Sequence, residues 1–150
     1  MQVTVRAARA SDIEALCRST LGNAFESEGL RLDEAAVRRG VGLLLADPAK
    51  GRAFVAEAGG EVAGSLYVTF EWSDWHAQWY WWIQSLFVVP GRRGTGVYSA
   101  LYRHLLDQAS LAGDVRAIRL YVEGHNETAL RAYRGHGMAE TAYRVFEQVL

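Results

Sequence analysis

The sequence lacks the features that mark several classes of protein. Its single cysteine, Cys17, cannot form an internal disulfide. No stretch approaches the roughly 20 apolar residues that span a bilayer, and the amino terminus has no signal-peptide pattern, so we expect a cytoplasmic protein without a membrane partner. Sixteen basic against seventeen acidic residues leave no excess positive charge for a nucleic-acid partner. The four histidines have no spacing typical of a metal site.

The overall amino-acid composition is that of a globular protein. Half of the residues are apolar and 22% are charged, far from the signature of disorder. A length of 150 residues predicts one domain, residues 1–150. Cys17 falls in an apolar series of helical spacing, which favours a buried structural thiol.

Local patterns predict mixed α/β structure. The order is β-α-α-β-β-β-α-β-α-β, which favours a mixed sheet flanked by helices. Ser11 and Glu14 form a capping-box pattern at the start of the first helix, and Gly59-Gly60 predicts the turn of a hairpin. The predicted strands are 3–5, 53–57, 62–72, 79–89 and 117–122 with a β-rich tail at 138–150, and the predicted helices begin near 11, 37, 97 and 128.

The most informative segment runs from Leu86 to Tyr98. A strand ends at Pro90-Gly91, and a turn containing Gly94 and Gly96 opens directly onto a helix. Such a turn leaves backbone amides free at the positive end of a helix dipole, which suits a pyrophosphate. The sequence after Gly96 lacks the Lys-Ser/Thr of a nucleotide P-loop, and Ser99 stands where a dinucleotide fingerprint needs glycine.

A second pattern covers Asn126 to Met138, with alanine three and tyrosine seven residues after the asparagine, then Gly137-Met138. Together the two segments resemble the GNAT N-acetyltransferase superfamily. Its acyl-CoA signature, Arg/Gln-x-x-Gly-x-Gly/Ala, is matched from Arg93 to Val97, while Tyr98 stands at the last, usually small, position. Its later signature, Asn-x-x-Ala-x-x-x-Tyr-x-x-x-Gly-Phe/Met, is matched at every anchor.

The resemblance implies the GNAT fold, a mostly antiparallel sheet splayed between strands four and five with acetyl-CoA in the gap. The residues that it assigns to the cofactor are Leu86, Phe87, Val88, Arg92, Arg93, Gly94, Thr95, Gly96, Val97, Tyr98, Asn126, Ala129 and Tyr133.

The resemblance also implies two catalytic roles. The Leu86 amide would polarise the thioester carbonyl, and the Tyr133 phenol would protonate the departing thiolate. A buried core tyrosine is the alternative for Tyr133. Asn126 would contact the amide-bearing arm of the cofactor, a role compatible with that of a plain helix N-cap.

The acceptor side departs from many family members, which carry a glutamate on the fourth strand where this chain has Trp82 or Gln84. Strand alternation places Tyr80, Trp82 and Gln84 on one face, and we expect Leu86 to share it. These three side chains are therefore candidates for the acceptor pocket. Glu71, Asp74 and His76, between the third and fourth strands, are further candidates for binding or deprotonating an amine, although surface loop charge is the alternative for each.

The resulting hypothesis is an N-acetyltransferase that transfers acetyl from acetyl-CoA to a primary amine by direct attack in a ternary complex. A catalytically silent acyl-CoA-binding or regulatory module is the main alternative. A third is an interaction domain that uses Trp72, Trp75 and Trp79. A homodimer formed through the aromatic strands or the carboxy-terminal strand is compatible with the enzyme.

Overall fold

The computed structural model describes residues 1–150, which form five strands and four α-helices. Their bounds are β1 Val3–Ala7, α1 Ile13–Glu28, α2 Glu34–Ala46, β2 Arg52–Ala58, β3 Glu61–Ser73, β4 Gln78–Val88, α3 Val97–Ala112, β5 Val115–Leu120 and α4 Glu127–Gly135. Short 3₁₀ turns lie at Ala10–Asp12 and Pro90–Arg92. No helix is long and apolar enough to cross a membrane.

The strands form one sheet in the order β1-β2-β3-β4-β5. The first four are antiparallel neighbours, and β5 joins β4 in parallel after the crossover through α3. The hairpin between β2 and β3 turns at Gly59 and Gly60, whose φ angles of 63° and 81° explain why two glycines stand there. The predicted mixed sheet is confirmed.

The sheet separates two apolar clusters. On one face α3 places Val97, Leu101 and Leu105 against Leu66 and Val68 of β3 and residues of β2 and β4. On the other face Leu16 and Cys17 of α1 and Val41 of α2 cover Val55 and Tyr67. Cys17 is buried, as predicted, and its burial raises the pKa of the thiol.

The start of the first helix uses a different carboxylate from the predicted one. The Arg9 amide donates to Asp12 Oδ2 over 2.7 Å, while Arg6 Nη1 donates to the same oxygen over 2.8 Å. Glu14 instead pairs with Arg38 of α2 over 2.6 Å. The predicted Ser11–Glu14 capping box is therefore wrong, because the buried Asp12 is better placed to accept from both Arg6 and the chain.

The predicted strand character of the carboxy-terminal tail is also wrong for the single chain. After a turn at Gly137, with φ of 82°, residues 139–150 belong to no strand or helix. The apolar residues that predicted a strand are present, but a strand requires a hydrogen-bonded neighbour, and the tail pairs with none.

Candidate active site

The sheet splays between β4 and β5. Pairing of the two strands ends at Ile83 and Leu120, whereas β4 continues to Val88. A cavity of about 270 Å³ opens at this divergence, between the end of β4, the segment after β5, α4 and the last turns of α1. Its lining residues are Asn23, Ser27, Glu28, Ile83, Gln84, Ser85, Leu86, Leu120, Tyr121, Val122, Glu123, Asn126, Ala129 and Tyr133. We call it the gap cavity.

A β-bulge at Gln84 changes the side-chain pattern of β4. Ile83 lies opposite Val68 and Ser85 opposite Tyr67, so Gln84 is an extra residue. Leu86 consequently packs against the same core as Ile83. The prediction that Leu86 shares a face with Tyr80, Trp82 and Gln84 is wrong, because the alternation on which it rested is interrupted by the bulge.

The main chain of β4 presents hydrogen-bonding groups to the gap. The Val89 amide donates to Ala63 of β3 over 2.9 Å. Because successive amides of a strand point to opposite sides, the N–H and C=O of Val88 and Leu86 point away from β3. In agreement, the Val88 carbonyl accepts from Arg93 Nε over 3.2 Å.

A second cavity, also of about 270 Å³, lies at the turn that follows β4. We call it the turn cavity; its lining residues are Asn23, Glu26, Leu86, Phe87, Val88, Arg93, Gly94 and Tyr98. Asn23 and Leu86 line both cavities, which therefore adjoin.

The turn has the free amides that the sequence predicts. No amide from Gly94 to Ser99 donates to an acceptor within the chain. Gly94 and Gly96 have φ of 75° and 86°, and Gly96 is the N-cap of α3. This left-handed backbone, which glycine adopts without strain, directs consecutive amides outward at a helix N-terminus. The arrangement suits a phosphate or pyrophosphate group.

The two arginines at the turn have different surroundings. Arg93 lines the turn cavity, where its guanidinium forms an ion pair with Glu26 of α1. Arg92 lines neither cavity and approaches Glu61, with 3.8 Å between Nη2 and Oε2. An anion in the turn cavity would therefore compete with Glu26 for Arg93.

Tyr98 forms part of the wall of the turn cavity. Its ring stacks on His136, with 5.4 Å between centroids, and is half-buried. Burial raises the pKa of its phenol to about 12, with smaller contributions from Tyr133 and Tyr102. The bulky residue at the position usually filled by glycine or alanine thus packs toward α4, and its backbone amide is among the free ones.

Helix α4 contributes Asn126 and Tyr133 to the gap cavity. Asn126 Oδ1 accepts from the Ala129 amide over 3.1 Å and so caps the helix. Tyr133 is half-buried, and burial raises the pKa of its phenol. The hydroxyl therefore stays protonated to a higher pH than that of an exposed tyrosine.

Most predicted acceptor residues lie outside the two cavities. Gln84 lines the gap cavity and donates to Thr69 Oγ1 over 2.8 Å. Tyr80 is buried beneath the guanidinium of Arg119, at 3.5 Å from the ring centroid, and Arg119 donates to Glu71 over 3.3 Å. Trp82 stacks on Tyr121, with centroids 4.6 Å apart. Asp74 and His76 are exposed in the turn between β3 and β4.

Several cavity residues were not predicted from the sequence. The last turns of α1 supply Asn23, Glu26, Ser27 and Glu28, and the segment after β5 supplies Glu123. The polar character of this end of α1 is visible in the sequence, but its position over the gap is not. Ser85 also lines the gap cavity, and its buried hydroxyl has no hydrogen-bond partner. Such a group favours a ligand that can bond to it.

A model of the GNAT acetyltransferase family matches residues 12–138, which include the turn at Gly94 and all of α4. The chain belongs to the GNAT acetyltransferase family. Acetyl transfer is therefore its class of activity. The splayed sheet is the fold expected of a GNAT protein. A search of curated protein sequences found no match.

Solved structures agree with the GNAT assignment. A "possible acetyltransferase" from Clostridium difficile 630 is 30% identical, with a TM-score of 0.94 over 100% of this chain and 99% of that one. An integron cassette protein from the Cole Harbour Salt Marsh metagenome is 26% identical, with a TM-score of 0.80 over 97% and 90% of the two chains. An aminoglycoside acetyltransferase from an uncultured soil sample, 22% identical over 100% of both chains at a TM-score of 0.74, shares the fold.

Proposed function

We propose that this GNAT protein is an N-acetyltransferase that transfers the acetyl group of acetyl-CoA to a primary amine in a ternary complex. The observation that carries the proposal is the row of free amides from Gly94 to Ser99 beside the open edge of β4. The amides suit the pyrophosphate of coenzyme A, and the strand edge suits its amide-bearing arm. Both cofactor-facing surfaces meet at Leu86.

Leu86 and Tyr133 are the proposed catalytic residues. In the reaction the amine nitrogen bonds to the acyl carbon, and the carbon–sulfur bond breaks. The Leu86 amide, directed into the gap by strand alternation, would donate to the oxyanion that forms on the carbonyl oxygen. The Tyr133 hydroxyl would give its proton to the departing thiolate, then regain one from solvent.

The acceptor site is proposed to lie in the gap cavity. Glu28 and Glu123 both line it, and they supply carboxylates where the fourth strand has none. Two carboxylates favour a positively charged amine, and either can remove its proton directly or through water. The other predicted acceptor residues lie outside this cavity, so they would only support its walls or extend it; these are Tyr80, Trp82, Glu71 and Asp74.

The test has a binding arm and a turnover arm. Acetyl-CoA is expected to raise the thermal midpoint while ATP and NAD do not. Thiol release from acetyl-CoA should then depend on a cationic amine in a panel that includes neutral alcohols. A shift caused by ATP or NAD instead would overturn the proposal. Binding of acetyl-CoA without thiol release for any amine would favour the silent module, which the absence of a carboxylate at Trp82 and Gln84 supports.

A further inference from the structure

Two buried side-chain hydroxyls of this chain have no hydrogen-bond partner, those of Ser65 and Ser85. Ser65 is fully buried and Ser85 is 9% exposed. Burying a hydroxyl without a partner destabilises the folded chain, so each position requires an explanation. The two differ in one respect, because Ser85 lines the gap cavity whereas Ser65 lines neither cavity. A molecule that enters the gap cavity can therefore satisfy Ser85 but not Ser65.

The bulge at Gln84 determines the side of the sheet on which Ser85 lies. Strict alternation after Ile83 would place residue 85 on the α3 side of the sheet. With the extra residue, Ser85 lies opposite Tyr67, and directly paired residues share a face. Tyr67 belongs to the cluster that α1 and α2 cover. Ser85 therefore points toward α1, the helix whose last turns line the gap cavity.

The polar neighbours of Ser85 use their hydrogen-bonding groups elsewhere. The Tyr67 hydroxyl donates to the main chain of α1 over 3.1 Å. Gln84 Nε2 donates to Thr69 Oγ1 over 2.8 Å. Ser27, across the cavity, donates to a carbonyl of its own helix over 2.6 Å. The Ser85 hydroxyl thus remains a donor that no group of the chain uses.

The Ser85 hydroxyl and the Leu86 amide are adjacent donors. The Ser85 side chain leaves the α-carbon directly, and the Leu86 nitrogen is joined to the same α-carbon through one carbonyl carbon, so covalent geometry keeps the two donors within a few ångströms. The Leu86 amide points away from β3, into the gap. The hydroxyl lies on the α1 side of the same stretch of strand. An oxygen atom bound in the gap is within reach of both.

Acetyl transfer creates such an oxygen atom. When the amine nitrogen bonds to the acyl carbon, the π electrons of the carbonyl group move to its oxygen, and they return when the carbon–sulfur bond breaks. The oxygen has lone pairs for more than one donor. The attacking amine differs, because it donates hydrogen bonds and has Glu28 and Glu123 to accept them. An uncharged donor beside Leu86 therefore suits the acyl oxygen.

We propose that the Ser85 hydroxyl is a second donor to the acyl oxygen, alongside the Leu86 amide. This proposal rests on the acetyl-CoA-dependent function proposed above. Ser85 keeps its proton throughout the reaction, and its hydrogen bond is strongest when the oxygen carries negative charge. Removal of one donor of this kind commonly lowers kcat by about 10²–10³-fold. Because it touches a reacting atom, Ser85 is a catalytic residue.

The first test uses full-length protein and needs no acceptor. Acetyl-CoA labelled with ¹³C at the acyl carbonyl is bound to wild type, Ser85→Ala and the matched control Ser65→Ala, and infrared spectroscopy records the carbonyl stretch. Hydrogen bonds lower the frequency of this band. The band should therefore move to higher frequency in Ser85→Ala and stay at the wild-type frequency in Ser65→Ala.

The outcomes of this test separate the two proposals. Acetyl-CoA that binds with the same band in all three proteins would overturn the role of Ser85 and leave the proposed function intact. Failure of wild type to bind acetyl-CoA would overturn both. Neither substitution removes a hydrogen bond within the chain, so both variants should fold with thermal midpoints no lower than that of wild type. If Ser85→Ala does not fold, Ser85→Cys, whose thiol is only a weak donor, replaces it.

The second test measures turnover with an amine that supports thiol release. Ser85→Ala should lower kcat by about 10²-fold or more and leave the KM for the amine unchanged. Ser85→Thr, which keeps the hydroxyl, should restore most of the lost kcat, and Ser65→Ala should equal wild type. A raised KM for the amine with wild-type kcat would place the hydroxyl against the acceptor and contradict the proposal. Wild-type kinetics in a folded Ser85→Ala variant would contradict it too.

Discussion

Val97, the first residue of α3, lies directly over Gly64 of β3. A Cβ added at Gly64 would lie 2.8 Å from Val97 Cγ1 and equally close to the Phe87 carbonyl oxygen. The absence of a side chain at this position therefore sets how closely the start of α3 approaches the sheet. Because the free amides belong to the same helix start, Gly64 positions the proposed phosphate site without touching it.

Gly64→Ala is expected to lower both stability and affinity for acetyl-CoA. The added methyl group must displace α3 or β4, and overpacking of this kind costs about 1–3 kcal/mol. Gly40→Ala is the matched control, because nothing lies within 4 Å of its Cβ position in α2. Urea denaturation and cofactor titration measure the two effects. Affinity that is unchanged in a folded Gly64→Ala variant would show that the helix start does not hold the phosphates.

Gly96→Asp should weaken acetyl-CoA binding by at least about tenfold, or about 1.4 kcal/mol. The substitution strains a backbone with φ of 86° and adds negative charge beside the free amides. Gly40→Asp makes the same change in net charge far from the turn and should not affect binding. Calorimetric titration of both variants checks this, and equal dissociation constants would remove the turn from the binding site.

Tyr133→Phe should lower turnover by about 10²-fold, the smaller end of general-acid effects, because a thiolate is a fair leaving group. Stability should change little, since the ring is retained. Burial raises the pKa of this phenol above the usual tyrosine value of about 10. Deprotonation of Tyr133 should therefore not reduce wild-type turnover until the pH exceeds about 10. Tyr102→Phe, outside both cavities, is the control. A turnover number equal to that of wild type would leave Tyr133 as a packing residue.

Glu28→Gln and Glu123→Gln test the acceptor site separately. If a carboxylate binds the cationic amine, its loss should raise the KM for the amine and leave the KM for acetyl-CoA unchanged. If it is also the base, kcat should fall, by about 10²-fold or more. Glu34→Gln on α2, away from both cavities, should leave the kinetics unchanged. Wild-type kinetics in both cavity variants would place the acceptor elsewhere.

Asp12→Asn should reduce stability at neutral pH by about 1.5–3 kcal/mol, the range for hydrogen bonds to charged groups. The hydrogen bond from Arg6 holds the pKa of Asp12 below its usual value, against an opposing effect of burial. The stabilisation is therefore complete above about pH 3.9, the pKa of an aspartate in the unfolded chain. It is lost as the pH falls through the lower pKa that Asp12 has in the folded protein. The difference in unfolding free energy between variant and wild type, measured by denaturation at pH 7 and pH 3, should be smaller at pH 3. Glu14→Gln, at the exposed pair with Arg38, should show little change at either pH.

The sequence predicts best what depends on neighbouring residues. The hairpin at Gly59-Gly60, the glycine turn before α3 and the helix that follows Asn126 each have a local physical cause, and all are present. The bulge at Gln84 depends on pairing between β3 and β4, which no local pattern encodes. Likewise, Glu28 enters the gap cavity only because α1 lies across β4, a packing relationship between residues distant in the chain.

The open edge of β4 also affects how this protein can evolve. A peptide group is present whatever the side chain, so the proposed contact of the Leu86 amide with the acyl donor would survive substitutions that preserve the strand. Glu28 and Glu123, by contrast, contribute side chains to the gap cavity. If these side chains bind the acceptor as proposed, substitution at either position would alter which acceptor is recognised and leave the proposed acyl-donor site in place. The protein could then gain a new acceptor specificity by a single substitution without first losing the acyl donor.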